Sequence, residues 1–82
     1  MKLEVNTNGA WRTVISGLSR HDIDSENRYL EALTAAATLA SISAAMTKRP
    51  IAWRLTSEAS GNVIQRCEGG GGWVDVYRPE VA

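Results

Sequence analysis

Hydrophobic and polar positions alternate with two different periods along this chain, and the change of period divides it into elements. Lys2 to Asn6 alternates, with Leu3 and Val5 in phase, and Thr7-Asn8-Gly9 follows as a turn whose glycine accepts positive φ. The pattern resumes from Ala10 to Leu18 with Trp11, Thr13, Val14 and Ile15, so the first eighteen residues read as a β-hairpin. After Pro50 the two-residue period returns. Ile51, Trp53 and Leu55 alternate with Ala52, Arg54 and Thr56, then Ser60-Gly61-Asn62 turns the chain. Val63 to Glu68 forms the next strand, Gly69 to Gly72 a turn, and Trp73 to Arg78 the last strand, closed by Pro79.

Between the two β regions the period becomes helical. Asp22, Asp24, Ser25 and Glu26 place capping oxygens and negative charge at its start, which is expected near Ser25. Lys48 and Arg49, just before Pro50, mark its end. On a wheel with Tyr29 at zero and about 100° per residue, Leu30, Leu33, Ala36, Ala37, Ala40 and Ala44 fall within one third of the circumference and predict the core stripe. A second apolar strip, Ala35, Leu39, Ile42 and Met46, lies about 220 to 280° round the same wheel. A helix apolar on two flanks wants two partners. The strip of Leu39, Ile42 and Met46 is therefore expected to form a second interface, most simply in a homodimer, with the N-terminal hairpin or the His21 to Asp24 loop as the alternative cover.

The element order β-β-α-β-β-β with short turns predicts an α+β domain: a single antiparallel sheet with one long helix packed on one face. At 82 residues the chain is one domain, small enough that a partner adds meaningful stability. Nine basic and nine acidic residues leave no net charge, which argues against a strong non-specific nucleic-acid binder or a polybasic membrane protein. Seven of the nine cations are Arg, the residue suited to forked, planar recognition. A single cysteine, Cys67, forms neither an internal disulfide nor a metal site, and with no secretory signal visible the expected compartment is the cytoplasm. Ala32 to Thr47 is free of charge but carries five Ser and Thr residues and is shorter than a membrane span, so no membrane is expected.

Candidate chemistry is sparse. His21-Asp22 reads as a loop pair ahead of the helix cap, without the nucleophile that a base and its orienter need. The four glycines join strand to strand, whereas a phosphate-binding loop joins strand to helix, so they read as a flexible turn. No catalytic residue, metal or cofactor is expected. The sheet carries more. With Trp53 and Leu55 toward the helix, Arg54 faces out, and with Val74 and Val76 inward, Trp73, Asp75 and Tyr77 face out. Arg66 joins them in one of the two registers open to its strand. Arg and aromatic residues are enriched at interface hot spots, so Arg54, Arg66, Trp73, Asp75 and Tyr77 form the expected partner-binding face.

The short chain with its lone helix and a closing hairpin of strand, Gly-rich turn and Trp73-Val74-Asp75 resembles small phage-encoded anti-CRISPR proteins of type I systems. The likeness spans the C-terminal half and rests on element order. It implies a stoichiometric inhibitor that docks on a multi-subunit host complex and blocks nucleic-acid access, with no residue roles carried over. The alternative expectation is a small single-stranded nucleic-acid binder that stacks bases on Trp73 and Tyr77 while Arg54 and Arg66 meet phosphates.

Overall fold

Period-two segments need neighbours to satisfy their backbone N–H and C=O groups, and here they find them in one another. A computed structural model, describing residues 1–76, places β1 (Lys2–Asn6), β2 (Trp11–Ile15), α1 (Ile23–Met46), β3 (Ala52–Thr56), β4 (Val63–Glu68) and β5 (Trp73–Asp75) along the chain. The strands form one sheet in the order β2-β1-β3-β4-β5, every neighbouring pair antiparallel. The α+β architecture is thus the one the hydrophobic pattern predicts. The chain leaves the sheet at its β2 edge, crosses in α1 and re-enters at the centre as β3.

Register puts the apolar set on one face. Leu3 pairs with Leu55, Val5 with Trp53, and Trp53 in turn with Cys67, so these side chains share the side that α1 covers. The core consists of Leu3, Leu18, Tyr29, Leu33, Ala36, Ala40, Trp53, Leu55 and Cys67. Trp53 lies beneath the helix as expected, yet its indole Nε1 is buried without a hydrogen-bond partner. In the β1–β2 turn, Gly9 takes φ 88°, and its N–H donates to Asn6 Oδ1 at 2.8 Å.

The helix starts and stops earlier than the sequence suggests. Asp22, rather than Ser25, is the N-cap: its Oδ1 accepts the Ser25 N–H at 2.8 Å, and helical geometry begins at Ile23. At the other end Thr47 is already extended, and the Ile51 N–H donates to Ser43 Oγ at 2.9 Å, which draws the chain back toward β3. Lys48 and Arg49 therefore follow the helix and are not part of it. The twenty-four residues of α1 give it the length and apolar composition of a membrane span, a longer element than its uncharged stretch alone; in the fold its Tyr29, Leu33, Ala36 and Ala40 are buried in the core.

The buried arc is narrower than the stripe expected. Leu30 is 49% exposed and Ala44 is exposed, because the helix meets the sheet through Tyr29, Leu33, Ala36 and Ala40, which lie within about 40° of one line. Three contacts fix its rotation. Ser43 faces the start of β3, Ala44 lies against Gly69 behind β4, and the Trp73 indole of β5 donates from Nε1 to the Leu33 carbonyl at 2.8 Å. Going round the helix from Leu33 and Ala44 to Ser43 therefore moves from β5 toward β3. The strip of Leu39, Ile42 and Met46 lies further round in the same sense, turned away from the sheet, and Ile42 borders an open groove that Leu33, Ala37 and Trp73 also line.

Gly69 to Gly71 form a single 3-10 turn between β4 and β5. A Cβ built at Gly69, where φ is 59°, stands 3.7 Å from the Ala44 Cβ. The turn expected between β4 and β5 is thus present, and its first glycine packs on the helix.

Candidate docking face of the sheet

The face turned away from α1 takes its character from Glu4, Arg54, Arg66 and Val74, which stand opposite one another across β1, β3, β4 and β5. Glu4 is the unusual member, a carboxylate almost fully buried in a sheet face. Its Oε1 accepts from Arg54 Nε and from Thr56 Oγ1, both at 2.7 Å, and Lys2 Nζ lies 3.9 Å from Oε2. Burial alone raises the pKa of this carboxyl, but the hydrogen bonds from Arg54 and Thr56 and the charges of Arg54 and Lys2 outweigh it and hold the group below its ordinary value.

Arg54 is held from two sides. While Nε binds Glu4, its guanidinium carbon sits 4.2 Å from the centre of the Trp11 ring, a cation–π distance. Trp11 opens β2 opposite Asn6, and Asn6 shares the Glu4 face, so register brings the indole to the outer side. Sequence reasoning used Trp11 only as a strand former. The signal was available, because a hairpin with Leu3 and Val5 inward and a turn after Asn6 sends Asn6 and its partner outward.

Arg66 also faces out, which settles the ambiguous register of β4: Cys67 is fully buried and Arg66 Nη2 lies 3.2 Å from Glu68 Oε1. Arg66 stands directly opposite Arg54, an unfavourable like-charge pair that the two carboxylates offset. Beside it Val74 is 57% exposed. At the end of the sheet where the β1–β2 turn, the start of β3 and the end of β4 meet, an open cleft of about 610 Å³ is lined by Asn6, Asn8, Trp11, Arg49, Arg66 and Glu68.

Trp73 and Asp75 do not belong to this face, contrary to the sequence reading. Trp73 pairs with Cys67 and Asp75 with Gln65, which puts both on the helix side. There the Gln65 amide donates to Asp75 Oδ1 at 2.9 Å and accepts the Tyr29 hydroxyl at 3.3 Å. The assumption that Val74 and Val76 cover core fails because β5 lies at the sheet margin, where the large Trp73 reaches the Leu33 carbonyl and the valines do not. Tyr77 lies outside the described residues. Of the five expected docking residues, Arg54 and Arg66 come together, joined by Trp11.

The remaining candidates sit apart. His21 Nε2 is 3.1 Å from Asp22 Oδ2, with both side chains exposed and Asp22 engaged as the helix cap. The Asp22 carboxyl is held below its ordinary value by hydrogen bonding to Ser25, then by the nearby charges of His21 and Arg28. Burial pushes the Cys67 thiol up, with the Glu68 charge adding to it, so the thiolate that reactivity requires is disfavoured. Among the described residues, no group of three or more His, Cys, Asp or Glu side chains could hold a metal. Comparison with protein-family models, curated proteins and solved structures finds no match to this chain.

Proposed function

We propose that the chain is a non-catalytic protein-binding module that docks on a host protein or protein complex through the outer face of its sheet. The observation that carries this reading is the pre-ordered Arg54–Trp11 pair, fixed by a buried carboxylate beside a cleft that Arg49 and Arg66 rim. Recognition is strongest where aromatic and Arg groups are held in place before a partner arrives, since less side-chain entropy is then lost on binding. Exposed Val74 supplies apolar area next to the charged row. The wider reading, a cytoplasmic phage or mobile-element inhibitor that blocks nucleic-acid access to a CRISPR-type complex, extends this proposal and draws its support from element order.

Capture from host lysate with the tagged protein tests it, run in parallel with Arg66→Ala. Because Arg66 is half exposed and its one ion pair is superficial, that substitution is expected to keep the fold and weaken the specific partner by about 1 to 3 kcal/mol. Equal capture by the parent and by an Arg66→Ala, Val74→Asp double variant would rule this face out.

The cleft also supports a second reading, a single-stranded nucleic-acid binder that stacks a base near Trp11 with Arg49 and Arg66 on phosphates. One face of the Trp11 ring is already occupied by Arg54, which makes it the lesser reading. Oligonucleotide binding that weakens steeply with added salt would establish it, and no binding at low salt would remove it.

A further inference from the structure

The strip on α1 remains uncovered in the folded chain. Leu39 is 49%, Ile42 51% and Met46 81% exposed, so neither the N-terminal hairpin nor the His21 loop closes over it. Its spacing carries information about the missing partner. From Ala35 to Leu39 is four residues, from Leu39 to Ile42 three, and from Ile42 to Met46 four, the alternation of a two-helix seam. That sequence of steps reads the same in either direction. Set against its own reverse, the strip places the small Ala35 opposite the long Met46, which it leaves room for, and Leu39 opposite Ile42, two aliphatic side chains that pack on each other at the middle.

The charges at its ends choose the direction. The uncharged stretch is bounded by Glu31 before it and by Lys48 and Arg49 after it, and none of the three makes an ion pair within the chain among the described residues. Parallel helices would bring like charges together. Antiparallel helices bring Glu31 of one chain toward Lys48 and Arg49 of the other and also oppose the helix dipoles favourably. We propose that α1 pairs antiparallel, about a twofold axis, with α1 of a second copy of this chain, Leu39 meeting Ile42 and Ala35 meeting Met46 across the seam. A second copy is the occupant because it supplies both the reversed spacing and the complementary ends. This pairing uses the helix and shares only Arg49 with the cleft, so the row of Arg54, Arg66 and Val74 on the outer face stays free.

Two measurements test it. Sedimentation equilibrium of the full chain should give twice the 8.9 kDa chain mass, and Ile42→Glu should return it to the single mass with unchanged helical circular dichroism. Independently of any effect on folding, Ala35→Cys and Met46→Cys proteins are mixed and treated with a thiol cross-linker too short for the about 16 Å that separates like positions in the antiparallel pair. The mixture should give a covalent dimer, and each variant alone should not; the native Cys67 is buried and stays unmodified. Cross-linking within either variant alone would mean a parallel pair and overturn the proposal. A parent that sediments as a monomer, or that floats with phosphatidylcholine vesicles in place of self-associating, would overturn it as well.

Discussion

Burying a carboxylate costs several kcal/mol unless partners compensate, and Glu4 shows both the cost and the compensation. Its pKa is depressed in the fold, so its contribution to stability is present above the ordinary carboxylate value of 4.5 and is lost as pH falls through the lowered native value. Urea melts should therefore show stability falling with acidity in this range, and Glu4→Gln should flatten the dependence. Arg54→Ala belongs to the same group of contacts. The sequence alone makes Arg54 a surface hot spot whose removal spares the fold; with Glu4 left buried beside it, the substitution is expected to cost about 1 to 3 kcal/mol of stability, measured by the same melts. What hid this from sequence reading is that Glu4 sits at an outward position, where a carboxylate is ordinary. Only the neighbouring strands, β3 above all, show that it is covered.

At the scale of elements, the strand limits were legible for Lys2 to Asn6 and Val63 to Glu68, whereas the stretch from Ala10 to Leu18 is a strand only over Trp11–Ile15 and the closing strand starts at Trp73 but ends at Asp75. The orientation of β5 was not, because Trp-Val-Asp-Val-Tyr offers apolar groups to both faces and a helix carbonyl decides between them. The helix start shows a smaller error of the same kind, since three candidate caps stood within four residues and geometry selected Asp22. Asp22→Ala should destabilise the protein by about 1 kcal/mol in thermal or urea melts, whereas Asp24→Ala should cost less. The two tryptophans under and beside the helix should separate clearly. Trp53→Ala empties the centre of the core and is expected to cost about 3 to 5 kcal/mol, enough to unfold a domain of this size. Trp73→Phe keeps most of the packing and loses one hydrogen bond to Leu33, about 1 kcal/mol.

For the whole molecule, strand order was the least readable property, because nothing in the local pattern says that β1 stands between β2 and β3. What could be read was the excess of apolar surface. Nine large hydrophobic side chains stay exposed among the described residues, and they fall in separate regions, with Leu39, Ile42 and Met46 on the helix flank and Val74 beside the arginine row. Substitutions in regions this far apart should act independently. Arg66→Ala is expected to leave the sedimentation of the parent unchanged, and Ile42→Glu to leave the per-chain affinity of the outer face unchanged; a shift in either would show that the two surfaces are one.

The three indoles sit in three different surroundings: Trp11 under a guanidinium on the outer face, Trp53 buried with its N–H unpaired, and Trp73 at the helix margin with its N–H bonded to a carbonyl. Indole emission shifts and quenches with local polarity and neighbouring charge, so each surface carries its own natural fluorophore. Replacing two of the three with phenylalanine or tyrosine in turn would give proteins whose light reports separately on docking, on the core and on the seat of the helix, with no dye attached.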